Sequence, residues 1–168
     1  MSESIVIAAA RRTPIGGFQG ILSPVSATQL GSVAAAAALA DSGLSPDAID
    51  EVIFGCVLPA GLGQAPARQA ALAAGLAQSV PATTVNKMCG SGMKAVMFAS
   101  DQILAGQARL SLAGGLDSMS NAPYLLLKAR AGYRMGHGEL FDHMSYDGLQ
   151  SPWDGQSMGC FGEATATR

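Results

Sequence analysis

An α/β fold with an at least partly parallel sheet is the architecture this sequence predicts, and three observations lead to it. Short β-branched runs alternate with segments of helical periodicity, the pattern of strands joined through helices rather than tight hairpins. The hydrophobic fraction is 49% while the aromatic fraction is only 5%, so most of the apolar mass is alanine and suits helices packed closely on a sheet, or a large interface. A length of 168 residues is that of one domain.

The elements follow in order. Ile5–Ala9 reads as a first strand, and a loop punctuated by glycine and proline runs from Thr13 to Pro24. Ser26-Ala27-Thr28-Gln29 has the S-x-x-Q capping-box pattern; the helix it starts passes through the tract Ala34–Ala38 and stops near Gly43. Alanine is the best helix former, which makes that tract helical in spite of its low complexity. Ser45-Pro46 starts a short helical turn with proline in first position. Val52–Val57 is the second strand, a helix runs from about Pro66 to near Gly75, and Thr83–Val85 is the third strand. Ser91–Ala105 is a long helix, with Met93, Val96, Met97, Ile103 and Leu104 at helical spacing, and Leu110–Leu112 is the fourth strand.

After Asn121 the rhythm breaks. Residues 121–157 hold both histidines, the only tryptophan and most of the later charge, with little periodicity. Such a stretch is too long for an ordinary loop and reads as a functional segment or a subdomain. The expected division is therefore a core over 1–120 and a second part over 121–168.

Composition excludes several classes. A net charge of −2, with 13% charged residues, gives no basic footprint for nucleic acid. No apolar run approaches the roughly 18 residues of a membrane helix, so no membrane partner is expected. Met1-Ser2-Glu3-Ser4 has no basic n-region, which argues against a signal peptide. Cys56, Cys89 and Cys160 cannot all pair, and none forms a C-x-x-C; a reduced, cytoplasmic setting and no metal site are expected.

Cys89 stands between the strand Thr83–Val85 and the opening of the long helix. A sulfur at such a junction lies close to unpaired N–H groups and to the positive end of the helix dipole. Both favour the thiolate, the form that attacks carbonyls. Gly90 and Gly92 would let a substrate approach the backbone. The competing reading is a small buried hydrophobe, the usual fate of a free cysteine.

Asn86-Lys87-Met88-Cys89-Gly90-Ser91-Gly92-Met93-Lys94-Ala95 resembles the active-site signature of the thiolases. Further blocks resemble the family in the same order along nearly the whole chain. They are Ile5-Val6-Ile7 through Arg12-Thr13-Pro14-Ile15-Gly16; Val57-Leu58-Pro59-Ala60-Gly61 with Gln64, Pro66, Ala67, Arg68 and Gln69; and Ala113-Gly114-Gly115-Leu116-Asp117-Ser118-Met119-Ser120. Leu116 and Asp117 stand where Met and Glu are common. Met158-Gly159 with Glu163 is a weaker last match.

The resemblance implies a layered αβα half-fold with a mixed, largely parallel sheet, followed by the start of an irregular loop subdomain that covers the active site and shapes the coenzyme A pocket. The family's last N-terminal strand comes after that insertion, so residues 1–120 would lack it and residues 121–168 would be a partial insertion. The implied activity is acyl transfer through an acyl-cysteine on Cys89, condensing two acetyl-CoA to acetoacetyl-CoA and coenzyme A, or the reverse cleavage. The Cys89 N–H is a candidate donor to one oxyanion. Leu149 matches a residue that packs on coenzyme A, and Met158 one that lines the acyl pocket. Ser157 occupies a position where biosynthetic members usually have histidine. No cofactor is implied, coenzyme A thioesters being substrates.

The family takes a histidine, a second cysteine and an asparagine from motifs of a second, homologous half. Those motifs do not occur here, so the expected partners are acyl-CoA, a C-terminal thiolase half in the same or a separate polypeptide, and further copies in a homodimer or homotetramer. The chain alone is expected to be inactive, and the arginine at its end, Arg168, fits a trypsin-like cut.

Other residues carry weaker readings. His137 and His143 read as solvated or locally hydrogen-bonded loop histidines, and a Cys-His hydrolase pairing with Cys89 has no supporting motif. Cys160 reads as part of a packed helix start. Lys128, Arg130 and Arg134 read as a solvated surface before they read as a phosphate-facing cluster. Gly61-Leu62-Gly63-Gln64-Ala65-Pro66 approaches the dinucleotide fingerprint, but proline replaces its third glycine and no acidic residue follows near position 83. The alternatives kept open are a degradative 3-ketoacyl-CoA thiolase with a longer acyl pocket, a condensing enzyme related to ketoacyl synthases, and a non-catalytic thiolase-like assembly fragment.

Overall fold

The computed structural model describes residues 4–167, so the readings of Met1–Glu3 and of Arg168 lie outside the described residues. The chain separates into two compact units, one ending at Asn121 and one beginning at Ala122.

The first unit is an α/β layer. Helix α1 (Ala27–Ser42) begins with the capping box the sequence announced: the Gln29 N–H donates to Ser26 Oγ, and the Ser26 N–H donates back to Gln29 Oε1 at 3.0 Å. It ends where Gly43 turns left-handed, at φ +66°. A single 3₁₀ turn, Pro46–Ala48, leads into strand β1 (Glu51–Gly55). Helix α2 (Pro66–Ala73), strand β2 (Ala82–Val85), helix α3 (Ser91–Leu104) and strand β3 (Ser111–Gly115) complete the unit.

The sheet order is β2-β1-β3, with β1 parallel to both neighbours. In this register Gly55 stands between Val85 and Gly115, so the three strands end level with one another. On one face α1 and α2 cover a core that includes Leu39, Val52, Phe54, Cys56 and Leu76. On the other face Ile53 packs with Ala95 and Ala99 of α3. Asp50 holds the entry to β3: its carboxylate accepts the Arg109 N–H at 2.7 Å and the Leu110 N–H at 3.1 Å. Those two backbone bonds lower its pKa below the ordinary carboxylate value.

One expectation is corrected here. Ile5–Ala9 forms no strand: Val6 and Ile7 are 77% and 80% exposed and belong to no ladder. β-branched residues favour an extended backbone, but a strand exists only when a neighbour accepts its hydrogen bonds, and no described strand lies beside this segment. The helical spacing in α3 holds, and its periodic apolar residues lie away from the buried face. Met93, Val96, Met97 and Leu104 are exposed, while Ser91, Ala95 and Ala99 face the sheet. The reason is distance. A Cβ on Gly55 would fall 2.4 Å from the Ser91 carbonyl carbon, and one on Gly115 would fall 3.3 Å from the Gly92 Cα. At that approach only small side chains fit between helix and sheet.

The second unit has short elements. Strands β4 (Tyr124–Leu125) and β5 (Phe141–Asp142) pair antiparallel. A π-helical turn, Met144–Leu149, follows directly, and helix α4 (Met158–Ala166) closes the described chain. Cys160, read from the sequence as part of a packed helix start, does lie in the first turn of α4, but it is exposed. No helix among the described residues is long and apolar enough to cross a membrane.

Candidate functional site

Cys89 lies four residues beyond the end of β2 and two before α3, and it is exposed. The turn that presents it is tightly bonded. Met88 adopts the left-handed region at φ +49°, a conformation a side chain of its size rarely takes. The Met88 N–H donates to Asn86 Oδ1 at 2.9 Å, and the Gly90 N–H donates to the Lys87 carbonyl at 3.1 Å. The Ser91 N–H donates to the Met88 carbonyl at 2.9 Å. Cys89 forms an isolated bridge with Lys87, and among the described residues no hydrogen bond of the turn takes the Cys89 N–H. Sulfur and backbone N–H are thus both offered at the start of a fourteen-residue helix whose N-cap, Gly90, supplies no side-chain cap. Chemically, this arrangement can attack a carbonyl carbon with the sulfur while donating a hydrogen bond to the oxygen that becomes negative.

The backbone approach at Gly92 is made by the sheet itself, since its nearest neighbours are Gly114 and Gly115. Gly90 has only the Lys87 carbonyl near its missing Cβ.

Cys56, one residue past β1, is the other cysteine at a strand end, and its surroundings are opposite in kind. Its N–H donates to the Val85 carbonyl at 2.9 Å, it is buried, and its sulfur lies 3.7 Å from Asp117 Oδ1. Burial first, and then the Asp117 carboxylate, push its thiol up to about 12. The same Asp117 oxygen accepts the N–H groups of Val57 and Leu58, each at 2.9 Å. Asp117 therefore fixes the turn that leaves β1. That turn meets the Cys89 turn through Asn86, whose Nδ2 donates to the Val57 carbonyl at 3.4 Å.

The Gly61–Pro66 loop is filled from within. Gln69 Nε2 donates to the Leu62 carbonyl at 2.8 Å and to the Gln64 carbonyl at 2.7 Å, so carbonyls rather than amides converge on its centre.

Leu149, Ser157 and Met158 all belong to the second unit. Leu149 ends the π-helical turn, Ser157 is the N-cap of α4 and Met158 its first residue; all three are accessible. Gln150 bridges antiparallel to Ser157, which brings the residues flanking that pair, Leu149 and Met158, to the same end of one loop. The Ser157 hydroxyl makes no cap bond and lies 3.5 Å from Cys160 Sγ.

His143 is only 4% exposed, and its Nδ1 lies 2.6 Å from Asp147 Oδ2 across the π-helical turn. It is locally hydrogen-bonded rather than solvated. His137, Lys128, Arg130 and Arg134 are exposed. Ser91, Asn86 and Asp117 were not singled out as site residues from sequence, although all three lie inside the blocks that carry the family resemblance. Among the described residues no cluster of histidine, cysteine and acidic side chains is arranged to hold a metal ion.

Comparison with known proteins matches residues 5–168 to the thiolase N-terminal domain. The chain is 51% identical over 166 residues to acetyl-CoA acetyltransferase 2 of Arabidopsis thaliana, covering 99% of this chain and 41% of that protein. It is 49% identical over 162 residues to the acetyl-CoA acetyltransferase of Cupriavidus necator, covering 96% of this chain and 41% of the relative. The Saccharomyces cerevisiae acetyl-CoA acetyltransferase is 49% identical over 169 residues, with 99% of this chain and 42% of the relative covered. The chain thus spans about two fifths of the length of these relatives.

Proposed function

The chain belongs to the thiolase family, and from that premise we propose that it carries the nucleophile of an acetyl-CoA C-acetyltransferase, with Cys89 as the acylated residue. The observation that carries this reading is the exposed Cys89 at the opening of α3, its N–H taken by no hydrogen bond of the turn among the described residues. The thiolate attacks the carbonyl of acetyl-CoA, and the Cys89 N–H donates to the oxyanion. The carbon–sulfur bond to coenzyme A breaks, and coenzyme A leaves as its thiolate. A base then takes an α-proton from a second acetyl-CoA, whose carbanion attacks the acetyl-cysteine. The cysteine sulfur departs, and acetoacetyl-CoA is released. The reverse sequence is thiolytic cleavage.

The base and the remaining oxyanion donors come from a C-terminal thiolase half. Coverage of about two fifths of the relatives supports that assignment. The exposed apolar residues of α3, Met93, Val96, Met97 and Leu104, are the kind of surface such a half would cover. A homodimer or homotetramer in a cytoplasmic setting completes the proposal. Incubating the full-length protein, C-terminal half included, with acetyl-CoA and mapping the added acetyl mass tests it: an acetyl group on Cys89 is the expected result, and one on another residue, or none, overturns it.

Leu149, Ser157 and Met158 meet the acyl-CoA in this reading, supported by the bridge that gathers them at one loop end. The degradative reading, with longer acyl chains, is favoured by one feature: Ser157 is smaller than the imidazole common at its position. In the full-length protein Ser157→His should then lower kcat/KM for 3-ketohexanoyl-CoA more than for acetoacetyl-CoA, by up to about 1–3 kcal/mol per methylene discriminated. Equal losses on the two substrates would remove Ser157 from the acyl pocket.

A further inference from the structure

We propose that Ser91 is a positioning residue for Cys89: its hydroxyl, clamped between the Lys87 N–H and the Met88 carbonyl, holds the left-handed turn that aims the Cys89 sulfur and N–H at one reacting carbonyl. The inference rests on the acyl-transfer reading above and assigns a role within it.

The geometry is specific to a hydroxyl. Ser91 Oγ accepts from the Lys87 N–H at 2.8 Å and donates to the Met88 carbonyl at 2.5 Å. One atom therefore bonds to both residues that precede the cysteine, accepting from one and donating to the other. Among short side chains only a hydroxyl does both. Ser91 is 3% exposed, and its backbone is pressed against Gly55. It is an anchor fixed to the sheet, and Cys89 is carried by the bonded turn in front of it. Asn86 holds the same turn from the solvent side, through its acceptor for the Met88 N–H. Met88, at φ +49°, would relax toward a more ordinary backbone conformation without these partners. The relaxation would rotate the next peptide, which carries the Cys89 N–H.

Two reactions of the same sulfur separate aim from mere presence. Attack on a thioester passes through an oxyanion that needs the N–H in place; alkylation by iodoacetamide forms no oxyanion and needs only an accessible sulfur. In the full-length protein, Ser91→Ala should slow acetylation of Cys89 by acetyl-CoA about 10- to 100-fold while alkylation changes by less than about twofold. Because Ser91 is buried, Asn86→Ala, at an exposed residue, serves as the second variant and should show the same selective loss to a smaller degree. Equal slowing of both reactions in both variants would reduce Ser91 to a structural role and overturn the proposal, as would acetylation unchanged in both. Failure of the unsubstituted protein to acetylate Cys89 at all would instead overturn the acyl-transfer reading, and this inference with it.

Discussion

Two neighbouring parallel strands each end in a turn that carries a cysteine, and the two turns treat sulfur in opposite ways. Beyond β1, Cys56 is sealed in the core, its N–H is tied to the Val85 carbonyl, and a carboxylate keeps its proton on. Beyond β2, Cys89 is accessible, no hydrogen bond of the turn takes its N–H among the described residues, and a helix opens two residues later. Both positions follow a strand and both are flanked by glycine on one side, so neither feature separates nucleophile from packing atom. What separates them is which groups face the sulfur. Burial and a carboxylate disfavour charge at Cys56, whereas Cys89 is exposed, two residues before α3 begins. The two turns are nonetheless coupled, because Asn86 of the second donates to Val57 of the first.

The largest effect that tests this contrast is loss of the reacting sulfur. Cys89→Ala should lower acetyl transfer by at least about 10³-fold while leaving the urea midpoint nearly unchanged, since the side chain is exposed and small. Transfer that survives the substitution would place the nucleophile elsewhere and break the comparison.

Reactivity should divide the cysteines next. With its thiol pushed up to about 12, Cys56 is ionised in roughly one molecule in 10⁴ at pH 8, and it is buried besides. Iodoacetamide with peptide mapping should label Cys89 first and Cys56 only after denaturation. Early labelling of Cys56 in the folded protein would remove the distinction.

Asp117 sharpens the same contrast through pH. In the folded chain the Cys56 proton is held to about 12, whereas the unperturbed thiol loses it near 9.0. Folding therefore gains from this group below about pH 9, and the gain fades as pH rises towards about 12. Asp117→Asn keeps an oxygen for the Val57 and Leu58 N–H groups but removes the negative charge, so the alkaline loss of stability should still begin near pH 9 but be smaller and finish at a lower pH. Asp117→Ala also leaves those two N–H groups without their acceptor and should cost about 2 kcal/mol in urea unfolding. An alkaline profile unmoved by Asp117→Asn would assign the Cys56 shift to burial alone.

The smallest effect serves as a control. Ser26→Ala removes the capping box of α1, at neither cysteine, and should cost about 1 kcal/mol of stability without changing the relative labelling of Cys56 and Cys89. A change in that order would show that reactivity reports global opening rather than the two local settings.

Much of this molecule was legible in its sequence because the information is local. The Ser26 and Gln29 cap, the Gly43 stop, the proline at the head of α2 and the strand-turn-helix passage through Cys89 each follow from side chains a few residues apart. The family signature is local as well, and it pointed to the cysteine that the fold leaves exposed.

Tertiary structure alone decided the rest, wherever the deciding partner is remote in sequence. Ile5–Ala9 has strand composition and no strand, because propensity supplies an extended backbone but not the neighbour that completes a ladder. The face of α3 that is buried is the small one, because Gly55 and Gly115 draw the helix so close to the sheet that Ala95 and Ala99 fit where methionines cannot. The high thiol value of Cys56 depends on burial in the core first, and then on a carboxylate sixty-one residues away. Sequence determined which segments coil, extend or turn, since those choices are made between near neighbours. Which surfaces meet, and so which sulfur is shielded and which is presented, depends on contacts that exist only once the chain has folded.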